Sequence, residues 1–503
     1  MSELAGNLLL GLGAAATPAN LLYSAFGVLL GTLVGVLPGI GAITTIAMVL
    51  PLTFGLDPLG ALIMLAGIYY GAVFGSSTTS ILLNMPGTAA AAVVCLDGYQ
   101  MARQGRAGQA LMIAAICSFF GGTLGVFLIV LAGPALAGFA LSFGAAEYFS
   151  LMLLGLLAAT LMSTGAMLKG LAMVVLGLLL GLVGTDVATG MRRYTFGVVE
   201  LADGLNFVVL AMGLFGFAEI LSNLNARGAY RPLTDRLPWR ALIPRLADLK
   251  ASAGAMLRGG AIGSALGALP GAGPTVSAFM AYAVEKRVAR DPSRFGQGAV
   301  EGVAAPEAAN NAAAQTGFIP TLTLGIPGDA VAALMLGALL IQGIVPGPQV
   351  METHPSLFWG LIVSMWIGNL LLLVLNLPLV GIWVRVLAIP YRLLFPAMVA
   401  FLAIGVFSLA NSTLHVVFLA VFGLFGYLLQ RLACPPAPLL LGFILGPMME
   451  ENLRRAMQLS RGDSMVFLER PISLALILAA AAVLLLILWG ELAGTCRRDR
   501  FSA

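Results

Sequence analysis

Charge is what this sequence has least of. Lys, Arg, Asp and Glu together make up 10% of 503 residues, against 60% hydrophobic residues, which is too little charge to cover a water-facing surface. The mean hydropathy of +0.99 excludes water as the main solvent. Histidine and cysteine are also scarce, two and four residues. Cys95, Cys117, Cys434 and Cys496 form no C-x-x-C pair, and His354 and His415 stand apart, so neither a disulfide framework nor a zinc site is indicated. No G-x-x-x-x-G-K-[ST] phosphate loop occurs, so energy input is expected from an ion gradient or another subunit. Neither H-E-x-x-H nor G-x-S-x-G is present, which weighs against an intramembrane protease or lipid-linked transferase. The stretch Met1 to Asn20 lacks a basic n-region and an A-x-A-like cleavage site, so no removable signal peptide is expected. The net charge of +4 lies in loops, which suits an anionic membrane leaflet better than nucleic acid.

What the chain does have is long apolar runs: Leu357 to Leu377, Pro396 to Leu409 running on through His415 to Leu429, and Ile472 to Trp489. These reach the roughly 20 residues a bilayer crossing needs. Backbone in lipid must pair its own polar groups, and the runs lack the alternation of a barrel, so the chain reads as an all-α polytopic membrane protein with roughly 10–14 membrane segments. Within it lies an internal repeat. Gly35-Val-Leu-Pro-Gly-Ile-Gly41 recurs as Gly267-Ala-Leu-Pro-Gly-Ala-Gly273, and downstream Asn84-Met-Pro-Gly87 recurs as Gly325-Ile-Pro-Gly328, the second copy carrying a charged insert around Glu285 to Gly298. Loop charge gives the relation between copies. In the first, the loop Gly55 to Pro58 has no Lys or Arg while Asp97 to Gly108 holds Arg103 and Arg106; in the second, Lys286, Arg287, Arg290 and Arg294 fall in the earlier loop and Gln342 to Ser356 has none. Cytoplasmic loops collect Lys and Arg, so the repeats are expected to be inverted. Residues 1–224 form the first repeat with accessory helices, 225–258 a basic cytoplasmic linker with a short interfacial helix, and 259–503 the second repeat with accessory helices and a basic tail.

The chemistry is expected at the breaks. Leu59 to Leu96 as one helix would measure about 57 Å where a crossing takes about 30 Å, so one spanning helix and a re-entrant hairpin are expected, with Ser76 to Ser80 and Asn84-Met-Pro-Gly87 near the break. Leu21 to Leu37 and Ala42 to Phe54 are short and meet at Pro38-Gly39, the mark of a discontinuous helix, and the second copy repeats this at Pro270-Gly271. No Lys or Arg lies in the four motifs, so a small organic anion would be held by helix starts, hydroxyls and amides. The candidate binding residues are Gly39, Gly41, Thr44, Thr45, Ser77, Thr78, Thr79, Asn84, Pro86, Gly87, Gly271, Gly273, Thr275, Ser277, Asn310, Asn311, Thr323, Pro327 and Gly328. Glu307 and Asp329, ionisable in apolar surroundings, are candidates for the coupling ion. Duller readings stand beside each: the Gly-Pro clusters as packing notches, the Ser and Thr run as hydroxyls back-bonded to helical carbonyls, the asparagines as interhelical glue, and the acids as helix caps.

Several motifs carry a resemblance. Gly35 to Gly41, Gly67-Ile-Tyr-Tyr-Gly71, Ser77-Thr-Thr-Ser-Ile-Leu-Leu-Asn84, Asp97-Gly-Tyr99, Met101-Ala-Arg-Gln-Gly-Arg-Ala-Gly108, Glu301-Gly-Val-Ala-Ala-Pro-Glu307 and Asn310-Asn-Ala-Ala-Ala314 resemble the large membrane subunit of the tripartite tricarboxylate transporters. The resemblance implies a secondary carrier of the bacterial inner membrane that works with a small membrane subunit and a periplasmic solute-binding protein, carries citrate-like carboxylates, and draws on a sodium or proton gradient without any other cofactor. The sequence departs from the family pattern at Thr88 and Ala89, where an acid and a small polar residue are common, at Gln100 and Gln109 in place of proline, and at Asp329 in place of serine. An acid lost at one hairpin and gained at its mate moves the expected cation site. An autonomous symporter is the alternative within the carrier reading; an enzyme or a passive channel is the alternative outside it.

Overall fold

The computed structural model describes residues 2–37, 41–140, 142–161, 167–186, 189–224, 239–269, 273–347, 349–386 and 391–501. They are almost wholly helical; the sheet is a ribbon of two residues per strand, Gly184–Thr185 against Arg192–Arg193. Five helices are long and apolar enough to cross a membrane, and eight shorter apolar helices accompany them among the described residues. The run expected to continue from Pro396 through Leu429 is divided. One helix ends at Ala410, Asn411 takes a left-handed conformation (φ 48°), and a second helix starts at Thr413. Asn stops a helix there at little cost because its side chain tolerates that region.

The chain forms two compact units interleaved in sequence. One is built from residues 1–137 and 219–413, the other from 138–218 and 414–503. This is a different division from the one the repeat draws, since both copies of both motifs fall in the first unit.

In the first unit the helices Pro18–Val36 and Pro58–Leu83 pack along their length, and so do Leu246–Gly267 and Glu301–Thr316. The reason is a stripe of glycines one turn apart. A Cβ on Gly27, Gly31 or Gly35 would collide with the carbonyl oxygens of Met64, Ile68 and Ala72, and one on Gly259, Gly263 or Gly267 with those of Ala305, Ala309 and Ala313. Backbones this close gain dispersion contact, which is what holds helices together in lipid, where burial of apolar surface gives no net drive. The pairs 27/64, 31/68 and 35/72 answer residue for residue to 259/305, 263/309 and 267/313; the wider separation in the second set is the charged insert. The helix Leu246–Gly267 begins inside the stretch read as linker, and Arg106 of the first copy's basic loop pairs with its Asp248 at 2.9 Å. Residues 225–238, with Arg227, Arg231 and Arg236, lie outside the described residues.

The second unit holds Ala145–Leu161, Met167–Gly181, Thr413–Arg431, Pro436–Leu459 and Pro471–Phe501. Gly177 and Gly442 again let backbones meet, at Leu439 and Val174. Glu147, buried, takes hydrogen bonds from Arg470 and the Gly144 N–H, both at 2.8 Å. Asp186 and Glu450 are bridged by Arg193 and Arg454.

Candidate functional site

Two helix breaks organise the first unit. Pro18–Val36 ends at Leu37, whose backbone is extended, and the chain resumes helix at Ala42 after an extended Gly41. Its mate stops at Gly267 and resumes at Gly273, which adopts φ 56°. The intervening residues, Gly39 and Gly271 among them, lie outside the described residues. Past the resumption the copies agree in detail: Thr45 Oγ1 donates to the Gly41 carbonyl at 3.1 Å, and Ser277 Oγ to that of Gly273 at 2.9 Å.

The second motif in each copy makes a tighter turn. Pro58–Leu83 runs unbroken through Ser76 to Ser80 and is stopped by Asn84 in the left-handed region (φ 58°, ψ 33°). The chain then folds back so that Gly87 lies against the Gly35 carbonyl and Ser76, where a Cβ would meet Ser76 at 2.9 Å. After Thr88 it goes on as a 3-10 turn, Ala89–Ala91, and the helix Ala92–Met101. In the second copy Gly325 takes the left-handed turn (φ 70°), and Gly328 lies against Gly317 and the Gly267 carbonyl, 3.3 and 3.6 Å from where a Cβ would stand. The helix Ala330–Ile341 follows.

Beside the second turn is a small pocket walled by Tyr69, Gly267, Gly273, Gly317, Gly328 and Asp329. Its room is about that of one water molecule, so this conformation encloses the site without holding space for an organic acid. Asp329 caps the Ala330–Ile341 helix, Oδ1 accepting from the Ala332 N–H at 2.7 Å, and its Oδ2 accepts from Tyr69 Oη at 2.5 Å. The positive end of that helix is thus occupied by a carboxylate of the chain itself. The Ala42 helix and the Ala89 turn, in contrast, start without a side-chain cap.

A second cluster is fully buried. Glu307, with no exposed surface, accepts from Ser77 Oγ at 2.5 Å and from Ser118 Oγ at 2.8 Å. One turn further along its helix, Asn310 is 1% exposed and neither its amide nitrogen nor its oxygen has a partner. A buried amide without partners is costly, and a ligand or water is the ordinary remedy. Asn311 donates to the Glu307 carbonyl at 3.0 Å.

The expected residues therefore separate by role. Ser77, Asn310 and Glu307 stand in or beside the buried cluster; Gly273, Gly328 and Asp329 wall the pocket. Thr79, Ser80 and Thr323 back-bond to helical carbonyls, those of Ser76, Ser76 and Ile319. Thr44 and Thr78 are buried, Thr275 is half-buried, Pro327 is buried, and Asn84 and Pro86 are exposed. Two partners went unnoticed in the sequence. Tyr69 lies in the Gly67 to Gly71 motif but reads as core aromatic, and Ser118 sits alone in an apolar helix.

At its ends the unit joins loops from the two copies. Gln342 donates to the Thr53 carbonyl at 3.0 Å, and Asp57, Gln342 and His354 line one pocket together with Leu59 and Leu357. Elsewhere the buried Asp97 draws in the charged insert: its Oδ1 accepts the N–H groups of Gly296, Gly298 and Ala299, each at 2.8 Å, and Oδ2 accepts from Tyr282 at 2.9 Å.

Residues 21–441 match the model of the "Tripartite tricarboxylate transporter TctA family". The chain is 54% identical over 488 residues, 97% of each chain, to an "Uncharacterized 52.8 kDa protein in TAR-I ttuC' 3'region" of Agrobacterium vitis. It is 57% identical over 227 residues, 45% of this chain and 94% of the other, to an "Uncharacterized protein in TAR-II ttuC' 3'region" of the same organism. No solved structure matches.

Proposed function

The chain belongs to the tripartite tricarboxylate transporter TctA family, and from that premise we propose that it is the large membrane subunit of a binding-protein-dependent secondary carrier importing a small carboxylate. The observation that carries this reading is the paired turn: Gly87 against Gly35 and Ser76, Gly328 against Gly267 and Gly317, built by matching residues of two copies inside one compact unit. Non-helical backbone at membrane depth is tolerated where it lines a cavity, and two such breaks per repeat, in inverted copies, are how carriers place a midplane site between moving halves.

The loop contacts favour opposite orientation of the copies. The Lys- and Arg-free loops meet through Gln342 and Thr53, and the loops rich in Arg and Lys meet through Asp97 and the 296–299 backbone. A parallel repeat would bring neutral loop to charged loop at each end. The basic loops then face the cytoplasm of a bacterial inner membrane, and the neutral ones face the periplasm, where a solute-binding protein delivers its acid.

In this account the substrate carboxylate is received by the uncapped starts at Ala42 and Ala89 and by the unpartnered amide of Asn310. A sodium ion or proton, held at Glu307 or Asp329, offsets its charge. Alternating access opens the pocket, closed here, first to one side and then to the other. The test is uptake of labelled citrate or succinate by membrane vesicles that contain this chain and its small membrane partner. Uptake should depend on added solute-binding protein and fall away in Asn310→Ala; full uptake by this chain alone would replace the reading with an autonomous symporter.

A further inference from the structure

Four carboxyls are fully buried among the described residues: Asp97, Glu147, Glu285 and Glu307. Three are held at one or both oxygens by groups that can only donate, Asp97 taking a further hydrogen bond from the Tyr282 hydroxyl. Asp97 faces three backbone N–H groups, Glu147 a backbone N–H and Arg470, and Glu285 the forked guanidinium of Arg258 at 2.8 and 2.6 Å. Donors of that kind cannot turn round to accept, so they have no hydrogen bond to offer a carboxyl proton. Glu307 differs. Both its partners are hydroxyls, Ser77 and Ser118, and a hydroxyl accepts as readily as it donates. The cluster is satisfied with Glu307 charged or neutral, by turning one O–H.

Among the described residues no charged group is paired with Glu307. Cys117, on the Ala107–Ala140 helix, is the titratable neighbour of Glu307. Of the charges on the helices packed around it, Arg258 is engaged with Glu285, Asp97 with the insert and Tyr282, and Asp329 with Tyr69 and its own helix start, while Lys250, Lys286 and Arg287 are exposed. A carboxylate in so dry a place is costly unless it is neutralised. A proton fits on either Glu307 oxygen without moving Ser77 or Ser118.

We infer that Glu307 is the proton carrier of the cycle, with Ser77 and Ser118 as the reversible partners that make both of its charge states tolerable. The inference rests on the carrier reading and names the coupling ion that reading leaves open. One proton from water on one side bonds to a Glu307 oxygen and later leaves to water on the other, with no other bond made or broken. Coupling follows from position. Asn310, unpartnered and one turn away, is where a substrate carboxylate is received; beside an ionised Glu307 it is repelled, beside the neutral acid it is admitted. By linkage, bound substrate then holds the proton as the proton holds substrate.

Two measurements test this. Infrared difference spectra of the full chain in lipid, taken across pH without substrate, should show a protonated-carboxyl C=O band that grows as pH falls, is lost in Glu307→Gln, and shifts without loss in Ser118→Ala. A spectrum that Glu307→Gln leaves unchanged overturns the inference, as does removal of the band by sodium at fixed pH. In vesicles with the partner subunits, an outside-acid gradient should accelerate wild-type uptake of citrate or succinate, and Glu307→Gln should lose that acceleration. Acceleration retained in Glu307→Gln overturns it too. Wild-type vesicles that take up neither acid would count against the carrier reading, with the infrared result still deciding the proton site.

Discussion

Tyr69 donates to Asp329 at 2.5 Å across a separation of 260 residues. The bond ties the helix that bears the first copy's second motif to the helix start that follows the second copy's. Loss of such a hydrogen bond costs about 0.5–1.5 kcal/mol. Tyr69→Phe, which keeps the ring and removes the donor, is expected to lower the melting temperature in detergent and slow uptake while the protein still inserts. Unchanged uptake and melting would show that the bond is incidental.

The glycine stripes make a sharper structural claim. At Gly31 and Gly263 a side chain has no place to go, because the Ile68 and Ala309 carbonyls stand there, and forced overpacking costs about 1–3 kcal/mol or more. Gly31→Val and Gly263→Val should each destabilise markedly in thermal melts. Gly6→Ala, where nothing lies within 4 Å, is the control and should leave the melt unmoved.

Asn84 separates backbone from side chain. Its φ of 58° is a conformation that costs most residues about 1–2 kcal/mol, and Gly325 occupies the matching position. Asn84→Gly is expected to retain uptake and stability, and Asn84→Val to lose both. Uptake abolished in a stable Asn84→Gly protein would instead make the amide a ligand.

Asp97 collects three backbone N–H groups on one oxygen. Asp97→Ala removes the acceptor of all three and leaves the buried Ala299 N–H unpaired, at about 1–3 kcal/mol, so protease sensitivity should rise at the insert around Glu285 to Gly298. Asp97→Asn keeps one acceptor oxygen and should raise it less; equal resistance in Asp97→Ala and wild type would contradict the assigned role.

Much of this was legible in the sequence, and the rest was hidden for identifiable reasons. Pro and Gly punctuate backbone directly, so the breaks at Gly35 to Gly41 and Asn84 to Gly87 could be read, and Lys and Arg mark loops. The Ser76 to Ser80 run could not be sorted, because one residue's rotation around a helix decides the outcome. Ser76 and Ser80 turn to carbonyls while Ser77 points to Glu307. The pairing of Tyr69 with Asp329 and of Ser118 with Glu307 depends on packing between distant segments, which no local pattern encodes. The interleaved second unit, residues 138–218 with 414–503, escaped notice because it carries no repeated motif. The break at Asn411 escaped because a lone Asn-Ser between apolar runs weighs little against their hydropathy.

A midplane site between the two copies requires them to face opposite ways. Single cysteines in a chain freed of its four native ones, placed at Gly55, Gly343, Arg103 and Ser293, can be labelled with a membrane-impermeant maleimide in intact cells and in inverted vesicles. The expected result is that Gly55→Cys and Gly343→Cys react from the periplasmic side, and Arg103→Cys and Ser293→Cys only from the cytoplasmic side. Labelling of Gly55→Cys and Ser293→Cys from the same side would contradict it.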